Sequence, residues 1–220
     1  MLIGLIPARG GSKSIELKNL QLMGEITLLG LGINKLLEIG CDKVLVSTDN
    51  EEISNVARMH GAEVVIRPSH LALDDSTTLD VVLDLIERNQ LKSEDFVILH
   101  QVTSPLISTN SMRQCISELN NHELNSVITG IHSNSYQWIS KNKYWDPVEG
   151  RALRLPRQKV SKRAIESGGA YCFKVSALNE QKTIYPEPTS CINIPYIEGI
   201  DIDTQDDLDE ARELFGLINT

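Results

Sequence analysis

Two clusters of side chains, at opposite ends of the 220-residue chain, have the types and spacing to work on a phosphate ester. Near the amino terminus Arg9, Lys13 and Lys18 bracket the pair Gly10-Gly11, with Ala8, Ser12 and Asn19 alongside. Glycines tolerate positive φ and close backbone approach, so their N–H groups can gather into an anion-binding concavity while the three cations supply fixed charge. A solvated basic turn is the plain alternative. The spacing excludes two familiar loops, since neither G-x-G-x-x-G nor G-x-x-x-x-G-K-[ST] occurs. Near the carboxyl terminus Asp201 and Asp203 alternate along Ile200-Asp201-Ile202-Asp203-Thr204, which puts both on one face of an extended segment. Two hard oxygen ligands suit Mg²⁺, which takes one or two carboxylates and completes its octahedron with water and substrate phosphates. Helix capping would explain one aspartate but not the pair. Together the clusters describe phosphoryl transfer driven by positioning and charge neutralisation.

The elements between them must bring these ends together. Leu2 to Ile6 is an apolar run fit for a buried parallel strand, broken at Pro7. A helical pattern from Ile26 to Ile39 closes at Gly40, a strand follows over Lys43 to Ser47, and a helix runs from Glu51 to His60 with Asp49 or Asn50 as its cap. Ala62 to Ile66 is a third strand, ending at Arg67-Pro68, where an α/β sheet presents ligand-binding loops. An apolar-periodic helix then runs through Val81, Val82, Leu85 and Ile86, and a fourth strand, Phe96 to His100, leads into Gln101. A helix over Asn110 to Leu119, strands over Ser126 to Gly130 and Ile192 to Ile197, and a last helix capped by Thr204 with Asp207 complete the pattern.

One stretch departs from it. Tyr136, Trp138, Tyr144 and Trp145 lie close together with Lys141 and Lys143, and Arg151, Arg154, Arg157, Lys159, Lys162 and Arg163 follow. Aromatic and arginine enrichment is the composition of an interface, so residues 132–165 read as a small dimerisation subdomain inserted in one domain spanning 1–220, and a homodimer is expected.

Composition narrows the function classes. Hydrophobic residues at 41% and charged residues at 23% are those of a globular protein, and a formal net charge of -9 argues against a nucleic-acid partner. Cys41, Cys115, Cys172 and Cys191 are scattered, with no C-x-x-C pair or zinc spacing, and read as reduced, mostly buried thiols. No run approaches the roughly 20 apolar residues that span a bilayer, and no secretory leader is evident, so no membrane partner and a cytoplasmic location are expected.

The segments Ala8-Arg9-Gly10-Gly11-Ser12-Lys13 and Leu17-Lys18-Asn19-Leu20 resemble the signature of the CMP-sialic acid synthetases (acylneuraminate cytidylyltransferases). Three more segments resemble the family in the same order: Arg67, Pro68, Leu71, Ala72 and Asp74; Gln101 with Thr103-Ser104-Pro105; and Ile200 to Thr204. The chain departs from the pattern at Ser14, Glu16, Leu17, Val102 and Ile107. The resemblance implies a Rossmann-like nucleotide-diphospho-sugar transferase fold, an α/β domain with a mainly parallel sheet covered by helices. It implies a reaction in which a nine-carbon 2-keto sugar acid attacks the α-phosphorus of CTP through its anomeric hydroxyl, releasing pyrophosphate. Arg9, Lys13 and Lys18 would meet the triphosphate, Asn19, Arg67 and Thr78 the nucleotide, and Gln101 the sugar, while Asp201 and Asp203 would hold Mg²⁺. Ser167 and Tyr171 come from a segment where the family's N-G-A-x-Y aligns in two ways: on the tyrosine, placing Ser167 at the asparagine, or on G-A, placing Gly168 there. A one-residue slip moves a strand side chain to the opposite face. Rival readings are activation of legionaminic, pseudaminic or 3-deoxy-octulosonic acid, a nicotinamide-dependent oxidoreductase lacking the usual fingerprint, and a non-catalytic nucleotide-binding regulator.

Overall fold

The strand β1 (Leu2–Pro7) is buried on both faces along its middle, as expected of a continuous apolar run at the centre of a sheet. In the computed structural model, which describes residues 1–121, 123–148 and 156–218, β1 pairs in parallel with β4 (Lys43–Thr48) on one side and β6 (Phe96–Leu99) on the other. Between β1 and β4 lie a short hairpin, β2 (Leu22–Met23) with β3 (Ile26–Thr27), and the helix α1 (Leu28–Glu38). The start expected at Ile26 is thus two residues early, because Ile26 and Thr27 pair back onto β2 and Thr27 caps the helix through Gly30 N–H at 3.0 Å.

After β4 come α2 (Glu51–Met59), β5 (Glu63–Ile66) and α3 (Thr78–Arg88), and after β6 come α4 (Thr109–Leu119) and β7 (Ser126–Ser133). A separate hairpin, β8 (Trp138–Lys141) with β9 (Tyr144–Pro147), precedes β10 (Arg163–Lys174), α5 (Val175–Gln181), β11 (Thr189–Asn193) and α6 (Gln205–Ile218). The seven-stranded sheet has the order β11-β7-β10-β6-β1-β4-β5, and only β10 runs antiparallel to its neighbours. The sheet is mainly parallel, as expected. The last strand ends at Asn193 and not at Ile197, since a 3-10 turn covers Tyr196–Gly199.

Polar caps fix where the helices begin. Asn50 caps α2 by accepting from Ile53 N–H at 3.0 Å, Thr77 and Asp80 form a reciprocal box on α3, and Ser108 caps α4. Thr204 and Asp207 close the same box on α6 with aspartate in place of glutamate. Each such cap stabilises by about 1 kcal/mol. The sheet is packed on both faces. Leu29, Ile33 and Leu36 of α1 join Ile53, Met112 and Leu208 on one side, while Val82 and Leu85 of α3 join Phe173 and Leu178 on the other. Truncating Leu85, which is fully buried, to alanine would cost on the order of 2–5 kcal/mol. Cys41, Cys115 and Cys172 are buried, Cys191 is half-buried, and none is paired. Among the described residues no helix is long and apolar enough to cross a membrane.

Candidate active site

The loops leaving the carboxyl ends of β1, β4, β5 and β6 share one edge of the sheet, where open α/β sheets bind ligands. The first of them is strapped to its neighbour. Ala8 N–H donates to the Ser47 carbonyl at 2.9 Å and Gly10 N–H to Asp49 Oδ1 at 2.8 Å, while Ser12 N–H donates to the Gly10 carbonyl at 3.0 Å. The expected nest of positive-φ glycines is therefore corrected. Neither Gly10 nor Gly11 is left-handed, and the residue that takes that conformation here is Leu17, at φ 45. Gly10 is required instead for close approach, because a Cβ there would sit 2.8 Å from Asn50 Cβ. Asp49 is likewise no cap; it holds the Gly10 amide while Asn50 caps the helix. Asn19, nearly buried, closes the loop by donating to the Arg9 carbonyl at 2.9 Å.

The cations of this loop meet carboxylates from elsewhere in the chain. Arg9 donates to Asp74 Oδ1 at 3.0 Å, and Lys13 forms an ion pair with the same carboxylate. The Lys13 hydrogen bond, then the charges of Lys13 and Arg9, hold the Asp74 carboxyl below the usual carboxylate range. Lys18 reaches the other end of the chain, donating to the Ile202 carbonyl at 2.7 Å and lying 3.5 Å from Asp203 Oδ1. Arg67 is buried, with Nε donating to Ser47 Oγ at 3.1 Å and a terminal nitrogen to the Ser47 carbonyl at 3.0 Å. Burial lowers its pKa, with Asp49 opposing the shift, and a guanidinium stays charged through such a change.

On the opposite side the cleft is bounded by β6 and β10. The pairing of β10 with β7 shifts between Ser167, opposite Thr129, and Tyr171, opposite Ile128, so residues 168–170 bulge from the ladder. Ser167 and Tyr171 flank that bulge. Ser167 is buried and its Oγ accepts from Gly169 N–H at 3.2 Å, while the Tyr171 hydroxyl donates to Glu166 Oε1 at 2.8 Å. Both are buried and stand behind the residues that line the cleft, Tyr171 near enough to Asp201 to feel its charge. Gln101 does line the cleft, and its backbone N–H donates to the Gly168 carbonyl at 3.1 Å. Beneath it His100 is fully buried, 2.7 Å from the Gly169 carbonyl through Nδ1; burial pushes its pKa down to about 3, so the neutral ring donates there. Lys35 of α1 braces the following turn by donating to the Pro105 and Ile107 carbonyls.

Arg9, Asn19, Arg67, Thr78, Gln101, Asp201 and Asp203 thus line one cleft of about 330 Å³, and Lys13 and Lys18 line its continuation. Asp201 and Asp203 are exposed and flank the buried Ile202, so they share a side although the segment belongs to no strand. Asp201 Oδ1 accepts from Ser104 Oγ at 3.2 Å and Asp203 Oδ1 faces Lys18, which leaves each carboxylate a second oxygen outside those contacts. Among the described residues no group of three or more His, Cys, Asp or Glu side chains is placed to hold a metal. Two hard carboxylates beside Arg9 and Lys18 nevertheless fit Mg²⁺, which needs only one or two from protein. Sequence reasoning missed Asp49, Asp74 as an ion-pair partner, and Ser104 as the partner of Asp201. Each acts across 39 to 97 residues, and no local spacing signals such a contact.

A cytidylyltransferase family model matches residues 3–149. N-acylneuraminate cytidylyltransferase B of Danio rerio is 31% identical over 76% of this chain and 40% of its own length. CMP-N,N'-diacetyllegionaminic acid synthase of Legionella pneumophila is 30% identical over 98% of this chain and 97% of its own. Among solved structures, a CMP:2-keto-3-deoxy-manno-octonic acid synthetase complexed with CTP superposes with a TM-score of 0.69 at 16% identity, covering 98% of each chain. That likeness shows the fold. The chain spans 40 to 51% of the length of several curated relatives it matches, the Danio rerio enzyme among them.

Proposed function

Because the chain belongs to the cytidylyltransferase family, we propose that it transfers CMP from CTP to the anomeric hydroxyl of a nine-carbon 2-keto sugar acid, releasing pyrophosphate. One observation carries this reading: Arg9, Asn19, Arg67, Gln101, Asp201 and Asp203, drawn from four separate segments, line a single cleft. The sugar hydroxyl forms a new bond to the α-phosphorus, the α–β anhydride bond breaks, and the hydroxyl proton is released. Negative charge accumulates on the departing pyrophosphate, and Arg9, Lys13 and Lys18 are the cations that would meet it. Arg67 and Asn19 hold the walls, Thr78 lies at the first turn of α3, and Gln101 offers an amide to the acceptor. Asp201 and Asp203 would hold Mg²⁺, which supplies charge neutralisation at the phosphates when bound.

Among acceptors with the nine-carbon 2-keto acid chemistry, pseudaminate included, we compare N-acylneuraminate and legionaminate. The second is favoured by the match that runs the length of both chains. A pyrophosphate-release assay with CTP against both acids, an eight-carbon keto acid and a no-acceptor control tests the reading. Release with CTP and a nine-carbon acid is expected, and no release with any keto acid would overturn it.

The same reading includes a homodimer formed through residues 132–165 and a cytoplasmic setting, the latter in keeping with four unpaired cysteines. Support for the dimer comes from the β8–β9 hairpin, where Trp138, Ile139, Tyr144 and Trp145 are each more than half exposed. So much clustered apolar surface marks an interaction site. Arg151, Arg154 and the Arg157 side chain of the basic run lie outside the described residues. Sedimentation as a dimer at micromolar concentration is expected, and a monomer there would refute it.

A further inference from the structure

The turn between β6 and α4 touches both halves of the cleft. Gln101 and Thr103 line it, and Ser104 N–H donates back to the Gln101 carbonyl at 3.0 Å. From the other side Ile202 N–H donates to the Thr103 carbonyl at 2.8 Å, so the segment bearing Asp201 and Asp203 is pinned to this turn through its backbone. Between these two links sits Ser104. Its side chain is fully buried, yet its hydroxyl reaches Asp201 Oδ1, 97 residues away, at 3.2 Å. Its back is against Gly168: a Cβ there would fall 2.7 Å from Ser104 Oγ and 2.4 Å from Gln101 Oε1.

We propose that Ser104 is a positioning residue that fixes the Asp201 carboxylate relative to Gln101, so that one buried hydroxyl sets the metal-binding side of the cleft against its acceptor side. The proposal rests on the reading of Asp201 as a magnesium ligand and Gln101 as an acceptor contact. A carboxylate tethered through one oxygen presents the other in a defined direction, and partners of that kind typically tune metal affinity roughly 10–100-fold. A serine needed only for the turn would have no use for a partner across the cleft. Gly168 belongs to the same device, because the missing side chain is what lets Gln101 and Ser104 lie together against the β10 bulge.

The test measures CTP affinity calorimetrically, with Mg²⁺ and with EDTA, alongside KM for the sugar acid. Ser104→Ala should leave the EDTA affinity unchanged, shrink the Mg²⁺-dependent gain roughly tenfold, and raise KM for the acceptor. Adding Ser104→Ala to Asp201→Asn should produce no further loss of that gain, the non-additivity expected of residues acting as a unit. Gly168→Ala, which keeps the hydroxyl but crowds both side chains, should shift the magnesium gain and the acceptor KM together, and it serves if Ser104→Ala fails to fold. A Ser104→Ala enzyme with a lower melting temperature but an unaltered magnesium gain would overturn the proposal, as would a Gly168→Ala enzyme that moves only one of the two quantities. A wild-type protein showing no magnesium gain would overturn the metal reading as well. Loss in Asp201→Asn with an intact Ser104→Ala would remove this inference alone.

Discussion

The two walls of the cleft are held by different forces. On the donor wall, built from the loops after β1, β4 and β5, charged groups meet charged or backbone groups: Arg9 and Lys13 with Asp74, Lys18 with Asp203 and the Ile202 carbonyl, Asp49 with the Gly10 amide. On the acceptor wall, built from β6 and the β10 bulge, the links are mostly between neutral groups: the Gln101 amide with Gly168, His100 with Gly169, Ser167 with Gly169. Charged partners half in water can exchange one anion for another with little reorganisation, which would suit uptake and release of a triphosphate in the proposed reaction. Neutral bonds in a dry bulge fix shape, which suits discrimination among sugar acids. The donor wall should therefore respond to lost charge, the acceptor wall to added volume.

The largest effect expected is at the junction of the chain ends. Lys18→Ala and Asp203→Asn should each lower kcat/KM on the order of 10²–10³-fold, the scale for removing one preorganised charge partner of a transition state. The melting temperature should change little in Asp203→Asn, whose carboxylate is exposed, and fall modestly in Lys18→Ala, which leaves the Ile202 carbonyl without that donor. Steady-state kinetics beside thermal melts checks this, and a loss below threefold would break the contrast between walls. Next comes Gly10→Ala, a volume change placed in the charged wall. The added Cβ, 2.8 Å from Asn50 Cβ, must shift the α2 cap and the loop, costing about 1–3 kcal/mol of stability and raising KM for CTP severalfold. Chemical denaturation measures the first and initial rates the second. Equal damage to KM for CTP and for the sugar acid would show that the walls are not separable.

The donor wall was legible because its residues lie in runs: Arg9 to Asn19, and Arg67 with Thr78 after one strand. The cleft brings most of them together. Spacing could not show how the runs are held. The sequence allows Gly10 two uses, positive φ and close approach, and the structure shows the second, with Asn50 packed against the missing side chain. The acceptor wall was legible only as far as Gln101. The alignment of Ser167 and Tyr171 carries no sign of the three-residue bulge between them, which is set by pairing with β7 some 38 residues earlier and leaves both side chains buried. A mainly parallel sheet followed from apolar runs alternating with helical periods. The antiparallel direction of β10 did not, since neither composition nor periodicity encodes which neighbour a strand will find.

A smaller effect separates Asp74 from the cations it holds. Asp74→Asn keeps the shape and an oxygen acceptor but removes the charge that competes with an incoming triphosphate for Arg9 and Lys13. KM for CTP should fall severalfold with stability nearly unchanged, because these pairs are half exposed. A rise in KM would mean that Asp74 orders the two cations and does not merely compete for them.

The smallest effect comes from a buried charge that braces the neutral wall. Lys35 holds the Pro105 and Ile107 carbonyls, and burial lowers its pKa to about 8, with Glu198 and then Glu38 opposing the shift. Below pH 8 the lysine is protonated in both folded and unfolded chains, and the cost of burying the ammonium is borne in full. Between about 8 and the ordinary value of 10.5 the unfolded chain binds more protons, so this group makes stability rise with pH across that window. The neutral amine still has two N–H donors for the two carbonyls, so the turn keeps its form and activity should change little. Lys35→Met removes the titration while keeping much of the stem's volume. The stability of the wild type relative to that variant should be constant from pH 6 to 7.5 and should grow toward pH 10, followed by chemical denaturation at each pH. A difference that stays flat through pH 10 would mean that the ammonium is solvated, and that the acceptor wall is held by charge in the same way as the donor wall.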